Sequence, residues 1–331
     1  MAILIDHATV RRLLPMAEAI AAMESAFRAL GEGRAVLPLR SILWTPERNG
    51  AIGMMPGYLP DRLGAKLVTV FPGNHGTELD SHQGVVLLFE ARRGSLLAIL
   101  DATEITAIRT AAVTALATRL LAREGAGDLA LFGSGTQART HLEAMLAVRR
   151  LRRVRVWSRH PENARAFAER ESARHGITVE TAGSARDAAL GADLLCTVTS
   201  SREPILRGEW LSPGAHVNAV GSSIPSAREL DAAAVARGRF FGDRRESIAH
   251  ESGDFLAARN EGAIGEDHFA GELADVLLGR TPGRRSEDEI TIFKSLGLAI
   301  EDVAAADHIH RRALAEGAGV VVDLGGKRDP A

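Results

Sequence analysis

The residues best suited to chemistry stand near the middle of the chain, where Gly133-Ser134-Gly135-Thr136-Gln137-Ala138 follows the apolar run Leu129-Ala130-Leu131-Phe132. Gly133 permits a tight turn after a strand, Gly135 lets backbone approach a pyrophosphate, and Ala138 is small where helix and strand must pack closely. Free N–H groups of the helix that starts there would face the phosphates. A second apolar run, Val154-Arg155-Val156-Trp157, follows at about the twenty-residue spacing of a strand–turn–helix–strand unit and ends in Ser158-Arg159 instead of an acid. An acid would accept hydrogen bonds from the adenosine ribose and repel a 2′-phosphate. A serine hydroxyl and a guanidinium donate to one. The pattern predicts a dinucleotide site with NADP(H) preferred and NAD(H) possible.

A second set of candidates is cationic. Of 40 basic residues only Lys66, Lys294 and Lys327 are lysines. A chain that writes arginine wherever a generic cation serves has kept an amine at position 66, and an amine can lose its proton when desolvated. Lys66 is therefore a candidate for proton chemistry, with a lysine merely packed along a strand as the alternative. Arg40, Lys66 and Arg109 lie in different elements. If they converge they form a pocket for a carboxylate, because paired guanidinium donors fix that group in one orientation; taken singly, each arginine reads as a surface residue.

The elements that must position these groups follow from periodicity. Met16, Ile20, Met23, Phe27 and Leu30 recur at helical spacing and predict a helix over 15–30, stopped by Gly31. Strand-like runs over 41–44, 51–54, 67–70, 85–89 and 96–100 predict a mainly antiparallel sheet. An alanine-rich helix over 105–122 leads into alternating strands and helices: strands at 194–198, 215–220 and 240–241, helices over 161–175 and 184–191. A last helix over 298–316, ended by Gly317, is free to return and cover the first sheet, and the end after Gly325 reads as frayed.

Composition narrows the rest. The chain has 331 residues, 46% hydrophobic and 25% charged, with a net charge of −2. These values suit two ordinary globular domains and give no reason to expect nucleic acid or a membrane as partner. Neither a signal peptide nor an apolar run long enough for a membrane span is seen, and the single cysteine, Cys196, reads as a core thiol of a reduced, cytoplasmic protein. No metal site is expected: His308 and His310 are two apart on a helix and point to different faces. The run Arg149-Arg150 and Arg152-Arg153 reads as a solvated edge, with no interleaved aromatics to stack on bases.

A broader pattern joins these pieces. Gly53-Met54-Met55-Pro56-Gly57-Tyr58, Ala65-Lys66-Leu67-Val68-Thr69, Ser81-His82-Gln83-Gly84 and Asp101 through Arg109-Thr110-Ala111 occur in order in the first part. Gly208-Glu209-Trp210, His216-Val217-Asn218-Ala219-Val220-Gly221, Arg228-Glu229-Leu230-Asp231, Glu251-Ser252-Gly253-Asp254 and Phe293-Lys294-Ser295-Leu296-Gly297 follow. Over nearly its whole length the chain thus resembles the ornithine cyclodeaminase/mu-crystallin family. The resemblance implies an α/β protein: a doubly wound Rossmann domain (123–299) and an α+β substrate-binding and dimerisation domain (1–122 with 300–331) completed by the C-terminal helix. It implies that Arg40, Lys66 and Arg109 hold a substrate carboxylate, with Lys66 also placed to give a proton to the substrate nitrogen. Met54 and His82 would border the pocket, with Ser223 and Glu251 facing the substrate. Thr110, Gly133, Ser134, Gly135, Thr136, Gln137, Ala138, Ser158, Arg159, Thr197 and Val220 would contact the cofactor, and a homodimer would form through the first domain.

The chain also departs from part of that family. Its cyclodeaminases carry an aspartate two residues after the glycine that ends the run through Asn218, and a lysine four residues later; here these positions are Ser223 and Ala227. A serine does not handle a proton near neutral pH without a partner base. The chain resembles the ketimine-reductase side better, although Ile224 replaces an arginine of that side's ligand pocket, a change that implies a less anionic or more apolar substrate side chain. The expected function is NAD(P)H-dependent reduction of an α-imino acid, a cyclic ketimine foremost, or the reverse oxidation of an amino acid. The alternatives are a cyclodeaminase that releases ammonia with catalytic NAD, and a non-catalytic NADPH-dependent binding protein. The reductase reading requires Arg40, Lys66 and Arg109 to gather where the nicotinamide reacts.

Overall fold

A computed structural model of the chain describes residues 1–74 and 76–324; the end expected to fray after Gly325 lies outside them. The chain divides into two compact units, Met1–Arg109 with Leu298–Ala331, and Thr110–Gly297. The boundary expected at 122/123 falls earlier, inside one continuous helix, Ala102–Leu121.

The first unit is built on a seven-stranded sheet of β1 (Ala2–Ile5), β2 (Ser41–Trp44), β3 (Ala51–Leu59), β4 (Arg62–Val70), β5 (His82–Glu90), β6 (Leu96–Asp101) and, from the chain's end, β15 (Val320–Val322). Their order is β15-β1-β6-β5-β4-β3-β2, antiparallel throughout except for the β1–β6 pair. The helices Met16–Gly31 and Ala299–Glu316 pack together, and the latter lies across β3 to β6. Met16, Ile20, Met23 and Phe27 are buried in the stripe that the periodicity predicts. The left-handed residue after that helix is Gly33 (φ 71°), not Gly31, while Gly317 (φ 64°) closes the C-terminal helix as expected.

β3, β4 and β5 are each nine residues long, well beyond the short apolar runs that announced them. Glycines explain the difference. A Cβ on Gly57 would stand 3.0 Å from Ala299, and one on Gly64 would stand 2.8 Å from Val303. Gly57 and Gly64 are where the C-terminal helix comes down onto the sheet, whereas Gly84 of β5 lies against the backbone of β4 at Leu67 and Val68.

The second unit holds an eight-stranded, wholly parallel sheet: β7 (Asp128–Phe132), β8 (Arg153–Trp157), β9 (Val179–Thr181), β10 (Leu194–Thr197), β11 (His216–Ala219), β12 (Arg239–Gly242), β13 (Phe269–Glu272) and β14 (Thr291–Lys294). The order β13-β12-β14-β11-β10-β7-β8-β9 reverses direction beside β7, the switch point at which doubly wound sheets bind ligands. β10 and β11 are buried throughout and β7 from Leu129 on; the polar His216 and Asn218 of β11 are hydrogen-bonded inside the sheet to Thr291, Thr118 and each other. No helix among the described residues is long and apolar enough to cross a membrane.

Candidate active site

In the first unit, the register decides what faces what. A tight turn with Asp61 at φ 66° joins β3 to β4 and pairs Leu59 with Arg62, which sets Met55 opposite Lys66 and Lys66 opposite Val86. Cross-strand partners share a face, and Gly64, two residues before Lys66 on that face, meets Val303. Lys66 therefore points under the C-terminal helix, 3% exposed. Its Nζ lies 3.2 Å from Asp302 Oδ1 and 3.1 Å from Oδ2, and donates more weakly to Thr106 Oγ1 at 3.4 Å.

Thr106 and Arg109 are three apart on the helix Ala102–Leu121 and so lie on one side of it. Arg109, also buried, donates from Nε to Asp302 Oδ1 at 3.2 Å and from Nη1 to Glu301 Oε2. Glu301 and Asp302, both fully buried, occupy the first turn of the C-terminal helix, where acids suit the helix dipole. Burial lowers the Lys66 pKa to about 8; Arg109 adds to the drop, Asp302 opposes it, and Arg40 also lowers it. His82, exposed at the start of β5 on the Lys66 face, is held below its ordinary value by partial desolvation and by the Lys66 ammonium.

Arg40, Lys66, His82 and Arg109 thus form one electrostatic cluster, but Met54 does not join it. Met54 pairs with Ser41 and Leu67 on the opposite face, 41% exposed; the methionine facing Lys66 is Met55, 6% exposed. The alternation along β3 carried that distinction, because one residue's slip moves a side chain through the sheet. Asp302 and Glu301 were missed outright. An acid pair in the first turn of an amphipathic helix carries no signal beyond that of a helix start.

In the second unit, Gly133 has φ 119°, a conformation that side chains avoid, and donates its N–H to Trp157 O at 2.8 Å. Gly135 is the N-cap of the helix Thr136–Val148, and a Cβ placed on it would meet nothing within 4 Å. That open space lies at a helix N-terminus beside the sheet's switch point, which fits a pyrophosphate. Ala138 is fully buried, as close packing of helix on strand requires. Ser134 Oγ donates to Ser158 Oγ at 3.2 Å, tying the glycine turn to the end of β8. Arg159, next along, is exposed.

The remaining expected residues are placed less directly. Thr110 is buried. Thr197 is sealed, 0% exposed, so its hydroxyl offers a ligand nothing as it stands; its carbonyl instead accepts from Val220 N and Gly221 N. Ser223 is half-buried in the loop after β11, next to Ser222 at φ 64°, whose Oγ donates to Ala227 O. Glu251 ends the helix Arg245–Glu251.

The features discounted for chemistry have structural partners. His308 pairs with Glu18 at 2.8 Å. The basic run is partly spent on internal acceptors, with Arg152 on Asp128 and Asp193, and Arg149 on Thr118 O. Burial pushes the Cys196 thiol up to about 12. Among the described residues no three His, Cys, Asp or Glu side chains are grouped to hold a metal ion.

Comparison with known proteins gives this geometry a context. The pattern of the ornithine cyclodeaminase/mu-crystallin family matches residues 2–317. The chain is 42% identical over 281 residues to ketimine reductase mu-crystallin of Mus musculus, covering 84% of this chain and 86% of that protein. It is 34% identical over 318 residues to Delta(1)-pyrroline-2-carboxylate reductase of Bacillus cereus, covering 95% and 97%. A solved structure of Thermococcus litoralis Delta(1)-pyrroline-2-carboxylate reductase, in complex with NADH and L-proline, is 39% identical with a TM-score of 0.94, covering 97% of this chain and all of that one. The chain belongs to the ornithine cyclodeaminase/mu-crystallin family.

Proposed function

We propose that this member of the ornithine cyclodeaminase/mu-crystallin family is an NAD(P)H-dependent reductase of α-imino acids, acting foremost on cyclic ketimines such as pyrroline-2-carboxylate and its six-membered homologue. The observation that carries the reading is the buried Lys66–Asp302–Arg109 cluster, in a chain whose relatives include two named reductases of C=N bonds. Arg109, held from behind by Glu301 and Asp302, and Arg40 orient the substrate carboxylate. Lys66, with a pKa near 8, is protonated at neutral pH yet close enough to its midpoint to release a proton to the substrate nitrogen. A protonated imine is the better hydride acceptor, and the nicotinamide supplies that hydride when bound. In reverse, neutral Lys66 takes the proton back.

The glycine turn Gly133–Ala138 and Ser158 would hold the dinucleotide. Exposed Arg159, in the place of an acid, supports a preference for NADPH over NADH. Ser223, in the place of the cyclodeaminase aspartate, weighs against ammonia loss as the main reaction. The first sheet's open face carries Leu4, Leu43, Met54, Leu63, Val85 and Val320, each at least 36% exposed. A second copy of the chain would bury this face as a homodimer. Sedimentation of the purified protein should give twice the chain mass; a monomer at micromolar concentration overturns that part.

The activity is tested by nicotinamide oxidation with five- and six-membered cyclic ketimine carboxylates and with pyruvate plus ammonia or methylamine, using NADPH and NADH side by side. Turnover of a ring ketimine, faster with NADPH, is expected. Cofactor binding without turnover of any of these substrates, or ammonia release from ornithine with no net change in nicotinamide absorbance, would sink the reading.

A further inference from the structure

The acid that joins the two best-placed cations is one that no sequence motif singles out. Asp302 Oδ1 lies 3.2 Å from both Lys66 Nζ and Arg109 Nε, and its Oδ2 lies 3.1 Å from Lys66 Nζ. We propose that Asp302 is the positioning residue of the reductase site. It holds the Lys66 ammonium and the Arg109 guanidinium in one fixed relation, and it sets the pH at which Lys66 exchanges a proton with the substrate nitrogen. The proposal rests on the function argued above.

An ammonium has three N–H donors, and among the described residues Lys66 donates to Asp302 and Thr106. Glu301 does not duplicate Asp302. One of its oxygens pairs with Arg109 Nη1, and the other accepts from Leu298 N at 3.0 Å, closing the first turn of the helix. Asp302 is therefore shared between a strand residue and a helix residue and fixes their spacing, in an interior where neither solvent nor salt screens the charges.

The electrostatics agree with that geometry. Burial, Arg109 and Arg40 all drive the proton off Lys66, and Asp302 opposes them through both its charge and its hydrogen bond. His82, which bears on Lys66 from β5, is itself biased towards its neutral form. Without Asp302 the remaining influences act in one direction. Lys66 would then lose its proton at lower pH and serve as an acid over a narrower range.

The scarcity of lysine makes the test direct. With only Lys66, Lys294 and Lys327 in the chain, carbon-13 labelling at the lysine ε position yields three signals whose titration can be followed by NMR, with Lys66→Met to assign its own. In the intact protein the Lys66 signal should titrate near pH 8. In Asp302→Asn the midpoint should fall by about one pH unit or more, the usual effect of losing an opposite charge at contact distance. The alkaline limb of ketimine reduction should move down by the same amount, and the reverse oxidation should set in at correspondingly lower pH. Asp302→Glu should restore much of both.

Cofactor affinity, a property of the second unit, and the melting midpoint report whether each variant is folded. If Asp302→Asn does not fold, Asp302→Ser, which is also uncharged but smaller, carries the test. An unchanged Lys66 midpoint in a folded Asp302→Asn or Asp302→Ser variant overturns the proposal, as does a midpoint that moves while the kinetic limb stays. If the unaltered protein reduces no ketimine, the reading of function fails instead, and the NMR titration still decides whether Asp302 governs Lys66.

Discussion

Among the described residues two lysines lie inside the protein, one in each unit, each against an aspartate. Lys66 meets Asp302 on the first sheet, with Arg109 sharing the same carboxylate and Arg40 near enough to repel it. Lys294 ends β14, completely buried, with Nζ 2.8 Å from Asp254 Oδ2 and 2.5 Å from Gly221 O. Asp254 Oδ1 accepts from the backbone of Glu229 and Leu230 at 2.7 and 2.9 Å, and Glu229 accepts from the N–H and hydroxyl of Thr199, both at 2.6 Å. The first cluster sets three cations around two carboxylates. The second sets one ammonium against two acids and spends the acids on backbone amides of the loops after β10 and β11. Cations gathered on one shared carboxylate are placed to meet an anionic substrate. A surplus of acid tied to backbone N–H groups is a brace.

Replacing each lysine by methionine, similar in length and uncharged, should separate the two roles. Lys66→Met should lower kcat/KM for ketimine reduction roughly 10²- to 10⁴-fold, the worth of a positioned acid. Its melting midpoint should change little, because Arg109 continues to neutralise Asp302. Lys294→Met leaves Asp254 without a cation in a sealed interior and should cost roughly 3–5 kcal/mol of stability, read as an earlier urea midpoint. The opposite pattern, with stability lost at position 66 and activity alone lost at position 294, would reverse the assignment of site and brace.

The two regions also differ in how well the sequence announced them. The dinucleotide turn was legible because its chemistry is local: glycines, a small residue and the end of the next strand stand at fixed offsets along the chain. Lys66 stood out through composition alone, one lysine among many arginines. Its partner Asp302 was silent, since the contact spans 236 positions in the sequence and the residue's own neighbourhood is an ordinary helix start. Met54 and Met55 differ only in which face of β3 they occupy, and that parity is set by a turn six residues further on, at Asp61. β14 escaped notice because Thr291 and Lys294, polar residues at both of its ends, are fully buried through bonds to distant partners. Local pattern finds backbone chemistry; it does not find side chains whose environment is supplied from elsewhere.

A smaller effect sharpens the comparison through pH. Burial pushes the Glu229 carboxyl up to about 7, and Asp254 adds to the rise, although Lys294 and Thr199 pull it down. Its folded pKa therefore lies above its unfolded value near 4.5, so the folded chain binds the extra proton between those limits. The stability that this proton contributes is complete below about 4.5, is lost as pH rises through about 7, and does not change further above that. Lys66 leans the other way: its folded pKa, near 8, lies below the usual 10.5, so stability lost at neutral pH returns as pH rises from about 8 towards 10.5. Glu229→Gln keeps an oxygen for Thr199 but cannot ionise. Measured against the unaltered protein, its unfolding free energy should improve steadily from pH 5 to pH 7.5 and then run parallel, while ketimine turnover near neutral pH changes less than in Lys66→Met. A gap that stays constant across that range would mean that Glu229 is ionised throughout and that Lys294 balances both acids. The second cluster would then be an ordinary buried ion pair, and only the first would sit at a protonation midpoint within reach of physiological pH.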